Sequence, residues 1–237
     1  VYLLVLVKVL FNVFGVEILN EMNMPVILLI LAASAMILGS IFAIAQKDVK
    51  RMLGYSSVAQ VGYILLGIAL VSFFGLRAAF FHIISHGLMK TALFLSVGEI
   101  IFYKQTRKVN DFDGMGFIMP VAMGVFSIAA LGMIGLPLTS GFISKFNLGI
   151  AILDNHLVFF IVVLIVSSLL NVLYYLPIII LSFLRNEKYH YRLSHIEKTP
   201  STMITPLIIL GSLIVVLGLF PNIIMPYIEA AAKVFIT

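Results

Sequence analysis

Long apolar runs separated by short polar stretches make up most of this chain of 237 residues. Runs bounded by charged or turn-forming residues predict seven segments: 1–14, 25–45, 52–74, 77–103, 117–152, 157–184 and 204–224. Most are long enough to cross a hydrocarbon core about 30 Å thick. Because lipid offers the backbone no hydrogen-bond partners, a spanning segment must be a helix or part of a closed barrel, and segment length favours helices. We therefore predict an all-α polytopic membrane protein with about seven transmembrane helices.

The first segment, 1–14, is short for a membrane span, because its helix would rise only about 21 Å. The chain begins with Val1 and no basic leader precedes the apolar run, so a signal peptide is not expected. We expect the chain to begin inside a truncated helix. It would then be a fragment, or its first part would lie on a separate polypeptide.

Segment 117–152 has the opposite problem, because a straight helix of this length would extend about 54 Å. Pro137 lacks a backbone donor, and the neighbouring glycines permit non-helical dihedral angles. We predict one discontinuous helix, broken at Gly135, Pro137, Thr139, Ser140 and Gly141. A broken helix at membrane depth is tolerated where it faces protein or water, which favours a transport pathway. A simple proline kink is the alternative.

The charged residues indicate a topology. The loops 46–51, 104–116 and 185–203 contain ten of the fifteen Lys and Arg residues. The positive-inside rule places these loops in the cytoplasm and Thr237 outside the cell or energy-transducing membrane. Although the net charge is +5, the basic residues form no continuous stripe, so we expect no nucleic-acid partner.

The chain contains no cysteine, which excludes disulfides, iron–sulfur clusters and cysteine-ligated zinc. We expect no cofactor in this chain, and any redox centre would lie on another subunit. An enzyme with its own active site is the least favoured class, because we find no nucleotide-binding loop or nucleophile constellation.

Three lysines, Lys8, Lys90 and Lys145, lie inside apolar segments. Each costs about 2.5–3.5 kcal/mol at the centre of a membrane helix, so each indicates a functional site. Lys145 falls in the first turns of the second half-helix, where Thr139 or Ser140 could act as the cap. The partial positive charge at the amino end of this half-helix and the burial of Lys145 both disfavour its ammonium form. A proton relay requires this, because a relay lysine must be able to release its proton. The alternative is an ammonium group bonded to carbonyls freed at residues 131–135.

His82, His86 and Lys90 are spaced four residues apart, so they share one helix face. Such a stripe can pass protons through intervening water, because histidine titrates near neutral pH. Two alternatives remain: a metal or haem site, which lacks a nearby carboxylate or cysteine, and buried histidines bonded to neighbouring helices. Polar residues also share one sector of segment 157–184: Ser167, Ser168, Asn171, Tyr174 and Tyr175. This sector either lines the same water-containing interior as the stripe or joins neighbouring helices, and the second role is favoured.

Three motifs resemble the antiporter-like subunits of respiratory complex I, membrane-bound hydrogenases, ferredoxin-linked complexes and Mrp-type sodium/proton antiporters. They are the run from Lys47 to Tyr63, His82-x3-His86-x3-Lys90-Thr91, and Gly135-Leu-Pro137-Leu-Thr139-Ser140-Gly141-Phe142-Ile-Ser-Lys145. The resemblance implies a fourteen-helix fold of two inverted five-helix repeats, of which this chain is similar to helices eight to fourteen.

The resemblance also implies a domain division. Residues 1–24 would hold the truncated first helix with Lys8 and an outer loop, and 25–184 would be the second repeat. Residues 185–237 would hold a cytoplasmic basic loop, the last helix and a tail. The implied partners are other antiporter-like and small membrane subunits, peripheral redox subunits and the lipid bilayer.

The resemblance implies a role for each lysine: Lys8 is the central relay, Lys145 the terminal switch, and His82 and His86 the bridge beside Lys90. The resulting hypothesis is a subunit that moves protons, or sodium, within a redox-driven complex or a cation/proton antiporter. The family's glutamate and lysine on the fifth and seventh helices have no counterpart here. The alternative is therefore a non-conducting half-subunit that serves as a scaffold.

Overall fold

The computed structural model describes residues 2–184 and 201–236, and within these ranges the chain is helical apart from turns and short loops. We number the helices α1 (Tyr2–Glu21), α2 (Met24–Ile44), α3 (Val49–Ala69), α4 (Phe73–Lys104), α5 (Pro120–Ile134), α6 (Ser140–Asp154), α7 (Val158–Leu184), α8 (Ser201–Leu219) and α9 (Met225–Lys233). Of the described helices, six are long and apolar enough to cross a membrane, and α5 is a shorter apolar helix. The all-α prediction is confirmed.

Helix α1 is longer than the apolar run on which its prediction rested. It continues past Phe14 to Glu21, through a π-helical turn that spans Val9–Phe14. At Gly15 the backbone adopts φ of +80°, which favours glycine. With this extension α1 reaches spanning length, so the estimate from residues 1–14 alone was wrong.

The predicted break in segment 117–152 is confirmed. Helix α5 ends at Ile134, and Gly135 follows it in the left-handed region with φ of +98°. Helix α6 then begins at Ser140, with Thr139 as its cap: the Thr139 side chain accepts a 3.4 Å hydrogen bond from the Phe142 amide. The two half-helices together replace the single long span.

Caps also shift the boundaries of α3 and α4 from their predicted positions. Asp48 caps α3 by accepting a 3.0 Å hydrogen bond from the Arg51 amide. Ser72 caps α4 through a 3.2 Å bond from the Gly75 amide. Arg77 therefore lies inside α4 and not at its start.

Two of the predicted basic loops meet at one end of the helix bundle. The Val49 amide donates to the Arg107 carbonyl at 2.9 Å, and the Val109 amide donates to the Lys47 carbonyl at 3.0 Å. The end of α7 lies beside them, since Ser182 Oγ donates to the Phe112 carbonyl at 3.1 Å. Residues 185–200 of the third basic loop lie outside the described residues, and α8 begins within the rest of that predicted loop.

Helix α4 occupies the centre of the bundle, in contact with α3, α5, α6, α8 and α9. The terminal helix α9 was not predicted as a separate element. It packs on the first turns of α4, where Arg77 forms a 3.1 Å ion pair with Glu229. This central position lets α4 present its polar face to several helices at once.

Candidate functional site

Lys145 lies at the break between α5 and α6, with its ammonium group turned back toward the end of α5. Its Nζ donates to the carbonyls of Met133 at 2.8 Å and Ile134 at 2.9 Å, and to Ser168 Oγ at 3.1 Å. The side chain is only 6% exposed. The three donors of the ammonium group are thus matched by three uncharged acceptors.

The carbonyls that hold Lys145 are free because the helix ends there. In an unbroken helix the Met133 carbonyl would accept from the amide of residue 137, but that residue is Pro137, which has no N–H. The carbonyl of Ile134 would accept from Leu138, whose φ of +72° is not helical. The carboxyl end of α5, with its partial negative charge, therefore faces the ammonium group.

Two aromatic and hydroxyl groups complete the surroundings of Lys145. Its Nζ lies 4.7 Å from the centroid of the Tyr63 ring, a cation–π arrangement. The Tyr63 hydroxyl in turn lies 3.3 Å from Ser168 Oγ. On one side, an apolar cavity of about 460 Å³ between α6 and α7 reaches Lys145 and Ser168.

His82 connects α4 to both α3 and α6. Its Nδ1 lies 2.8 Å from Ser144 Oγ and its Nε2 lies 3.0 Å from Gln60 Oε1. The ring is buried and stacks on Tyr63, with 5.5 Å between the ring centroids. His82 and Lys145 both contact the Tyr63 ring. Because Ser144 precedes Lys145 in the chain, His82 also bonds the turn of α6 that holds Lys145.

His86 extends this arrangement toward Lys90. Its ring is nearly parallel to that of His82, with centroids 6.2 Å apart and an interplanar angle of 5°. The side chain is partly exposed, and within the described part of the chain its Nε2 has no hydrogen-bond partner. The Nε2 atom itself is buried, so a water molecule or another donor or acceptor reaches it only if the surrounding side chains move.

Lys90 is held by α3 and α7. Its Nζ donates to the Leu53 carbonyl at 2.7 Å and to Ser56 Oγ, and it lies 3.5 Å from the Tyr175 hydroxyl. Ser56 Oγ and the Tyr175 hydroxyl are themselves 3.1 Å apart. Lys90 is 7% exposed, and like Lys145 it is bonded to uncharged oxygen atoms.

Lys8 lies apart from this network. Its side chain is exposed on α1, and it forms no hydrogen bond or ion pair with other described residues. The structure therefore brings together His82, His86, Lys90 and Lys145, but does not connect Lys8 to them.

Among the predicted broken-helix residues, Thr139 is the cap and Gly135 ends α5. Gly141 lies so close to the Gly132 carbonyl that a methyl group on Gly141 would collide with it. Ser140 is buried, and its carbonyl accepts a 3.4 Å hydrogen bond from Ser85. Pro137 is exposed, so its contribution is the amide that it lacks.

The polar sector of α7 has two roles. Ser167 joins helices, because it donates to the Met36 carbonyl of α2 at 3.1 Å. Ser168, Asn171 and Tyr175 instead contact the groups that hold the two lysines. These bonds also cross between helices, so the choice between joining helices and lining the polar interior stays a prediction.

Sequence reasoning did not assign the partners Gln60, Ser56, Ser144 and Tyr63 to the site. Gln60, Ser56 and Tyr63 do lie in the motif that begins at Lys47, and Ser144 lies in the motif that ends at Lys145. Their contacts cross between helices, so helix periodicity within one segment does not predict them. In the described part of the chain, no group of three or more His, Cys, Asp or Glu side chains could hold a metal ion.

The fold is that of an antiporter-like membrane subunit. The chain belongs to the family described as NADH:quinone oxidoreductase/Mrp antiporter, transmembrane region, which matches residues 1–171. It is accordingly a multi-pass membrane protein.

Curated relatives and solved structures agree with this assignment. The chain is 42% identical over 204 residues to NADH-quinone oxidoreductase subunit N of Desulforudis audaxviator, covering 80% of this chain and 40% of that protein. It is 35% identical over 198 residues to subunit M of Rickettsia prowazekii, covering 82% of this chain and 39% of that protein. The chain thus spans about 40% of the length of these relatives.

Two solved structures share the fold. A chain of the membrane-bound sulfane sulfur reductase, an archaeal respiratory membrane complex, superposes with a TM-score of 0.89 at 24% identity, covering 99% of this chain and 46% of that one. A chain of the Mrp complex from Dietzia sp. DQ12-45-1b gives a TM-score of 0.86 at 22% identity, covering 97% of this chain and 51% of that one.

Proposed function

We propose that this chain is part of an ion-translocating subunit of a redox-driven membrane complex or a multisubunit cation/proton antiporter. The observation that carries the proposal is the pair of buried lysines, Lys90 and Lys145, whose hydrogen-bond partners are all uncharged. A lysine paired with a carboxylate would leave a buried anion behind when it lost its proton. Each of these two lysines can release its proton and become neutral without leaving a buried anion behind.

The transported ion in this proposal is the proton. Lysine and histidine can bind and release protons, and as cations they repel sodium. Sodium is the alternative ion. It would have to use the carbonyl and hydroxyl oxygen atoms that the ammonium groups now occupy.

The relay would run along α4 and end at α6. A proton released at Lys90 would pass through water to His86, and the parallel ring of His82 would receive it next. The His82 ring, which lies parallel to that of His86, contacts Ser144, and Ser144 is the residue before Lys145 in the chain. Lys145 would act as the terminal switch, because it sits where two half-helices meet and its acceptors are end groups of α5.

Lys8 would be the central relay only in the complete assembly. Its exposed position on α1 would then be covered by groups outside the described residues, which would link it to the stripe on α4. The partners we propose are other antiporter-like and small membrane subunits, together with peripheral redox subunits. We also propose that the joined loops 46–51 and 104–116 face the cytoplasm.

A second function is favoured by the same hydrogen bonds. The ammonium group of Lys145 satisfies the two carbonyls at the end of α5, which is what a purely structural lysine would do. In this alternative the chain is a non-conducting scaffold between working subunits. The two functions differ in whether Lys145 has to lose its proton.

The test is Lys145→Ala in the complete subunit, assembled in its complex in sealed membrane vesicles. Proton uptake is followed with a pH-sensitive dye and sodium uptake with a radioactive tracer, while complex content is measured in the same vesicles. The matched control is Lys108→Ala, because Lys108 is an exposed loop lysine. The proposal expects loss of ion uptake in Lys145→Ala alone. Unchanged uptake in an intact complex would overturn it.

A further inference from the structure

The carbonyl of Met133 accepts two hydrogen bonds from side chains, and only one comes from a lysine. Lys145 Nζ donates to it at 2.8 Å and Asn171 Nδ2 donates at 3.1 Å. Asn171 is fully buried on α7, so the amide contact is formed away from water. A carbonyl oxygen has two lone pairs, so both donors can be accommodated at once.

The orientation of Asn171 is fixed from its other end. The Tyr174 hydroxyl, one turn further along α7, donates to Asn171 Oδ1 at 2.5 Å. This bond requires the carbonyl oxygen of the amide to face Tyr174, so the NH₂ group must face Met133. The Tyr174 ring also contacts the tilted ring of Tyr175, with centroids 4.5 Å apart and an interplanar angle of 49°, and Tyr175 lies next to Lys90.

The two donors have different consequences if Lys145 moves or becomes neutral. Pro137 cannot supply the amide that the Met133 carbonyl lacks, so without Asn171 this buried acceptor would lose its only strong donor. Leaving a buried carbonyl unpaired opposes the step. With Asn171 in place, the carbonyl stays paired while Lys145 changes state.

We propose that Asn171 is a positioning residue that substitutes for the missing amide of Pro137 and so lets Lys145 release the end of α5. This inference rests on the proposed transport function. It goes beyond that function because Asn171 itself carries no proton. Tyr174 supports the role by keeping the amide in the donating orientation.

The experiment compares Asn171→Leu with Asn171→Gln in the complete subunit within its assembled complex. Leucine has a similar size but no donor, whereas glutamine keeps an amide donor. The control is Ser182→Ala, a buried hydroxyl on the same helix that bonds the Phe112 and Ile178 carbonyls. Proton uptake by vesicles is measured per assembled complex.

We expect Asn171→Leu to slow proton uptake about tenfold, as the loss of one buried hydrogen bond in the moving step implies. Asn171→Gln should recover most of the rate, and Ser182→Ala should match the unmodified protein. Equal rates in Asn171→Leu and Ser182→Ala would overturn the proposal. Equally slow uptake in the leucine and glutamine variants would also overturn it, because side-chain shape and not the donor would then matter.

If Asn171→Leu does not assemble, Tyr174→Phe replaces it, because this change removes only the hydroxyl that orients the amide. Uptake should then fall by a smaller factor, about threefold; an unchanged rate would contradict the proposal. The transport function is tested separately. If Lys145→Ala has no effect on uptake, that function fails, whereas a loss in Lys145→Ala with a normal rate in Asn171→Leu refutes only the role of Asn171.

Discussion

Gln60 and His82 face each other across α3 and α4, with 3.0 Å between Gln60 Oε1 and His82 Nε2. On the other side of the ring, Ser144 Oγ donates to the Gly141 carbonyl at 2.8 Å, so it is available to accept from His82 Nδ1. When both ring nitrogens of His82 carry protons, the Gln60 oxygen accepts from Nε2. The Gln60 NH₂ group has no hydrogen-bond partner among the described residues. A half-turn of the amide would point this group at Nε2 of a neutral His82 ring, which can accept from it.

The pocket around His82 can thus satisfy both protonation states of the ring, which predicts the effect of Gln60→Leu. Leucine leaves Nε2 without a partner when the ring is charged. A hydrogen bond to a charged group contributes about 1.5–3 kcal/mol, so we expect proton uptake to slow at least tenfold.

The measurement is dye-monitored proton uptake per assembled complex. Gln46→Leu is the control, because among the described residues the partly exposed Gln46 side chain bonds only the Phe42 carbonyl, near the end of α2. If Gln60→Leu and Gln46→Leu vesicles take up protons equally fast, His82 does not change its charge during transport.

The close approach of α5 and α6 predicts the effect of adding a methyl group at Gly141. A Cβ atom there would collide with the Gly132 carbonyl and meet Met89 Sδ at 3.1 Å. Gly149 is on the same helix and has nothing within 4 Å of such an atom. We expect Gly141→Ala to destabilise the subunit by about 1–3 kcal/mol and Gly149→Ala to be tolerated.

Thermal unfolding of the detergent-solubilised complex, followed by loss of the subunit from the complex, measures this difference. A lower midpoint for Gly141→Ala than for Gly149→Ala is expected. Equal midpoints would contradict the close approach of the two half-helices.

The packing of α9 on α4 predicts a labelling pattern. Because these 237 residues include no cysteine, a cysteine introduced among them is the only one they contain. Ala232 is fully buried on α9, whereas Tyr227 on the same helix is 76% exposed. A maleimide should modify the cysteine of Tyr227→Cys and leave that of Ala232→Cys unmodified.

The cysteine of Ala232→Cys should also stay unmodified in Arg77→Ala, because among the described residues Arg77 bonds α9 only through its ion pair with Glu229, and its other bond goes to Asn147 of α6. Both Arg77 bonds are 3.1 Å long, and Glu229→Gln removes only the ion pair. The ion pair is partly exposed, which implies that it contributes less than about 1 kcal/mol to stability. Maleimide labelling of Ala232→Cys should therefore stay low in Glu229→Gln. Labelling of Ala232→Cys without any change at Arg77 would contradict the packing.

Local chemistry was sufficient to predict the break and the stripe. Pro137 and its neighbouring glycines have effects confined to a few residues, so the interruption near Gly135 could be predicted directly. The shared face of His82, His86 and Lys90 follows from helix periodicity alone. The contact of Lys145 with carbonyls of residues 131–135 was also foreseen, as the alternative to a mobile lysine.

The partners across helices could not be predicted in the same way. Ser56, Gln60 and Ser144 look like ordinary polar residues in their own helices, and only the packing of α3 and α6 on α4 brings them to the stripe. The end of α1 was missed because Gly15 and Glu17 interrupt the apolar run but not the helix. Helix α9 was missed because its nine residues are too few for a membrane span and include Glu229 and Lys233.

Proton transport through the proposed relay depends most directly on whether Lys145 loses its proton, and Lys145→Arg tests this point. Arginine keeps a positive charge and several donors for the carbonyls of Met133 and Ile134, but it does not deprotonate in proteins. The measurement is proton uptake per assembled complex in sealed vesicles, with Lys145→Ala in parallel. The relay predicts that uptake is lost in the arginine variant as fully as in the alanine variant, although the complex assembles. Uptake by the arginine variant at the unmodified rate would contradict the relay and support the scaffold.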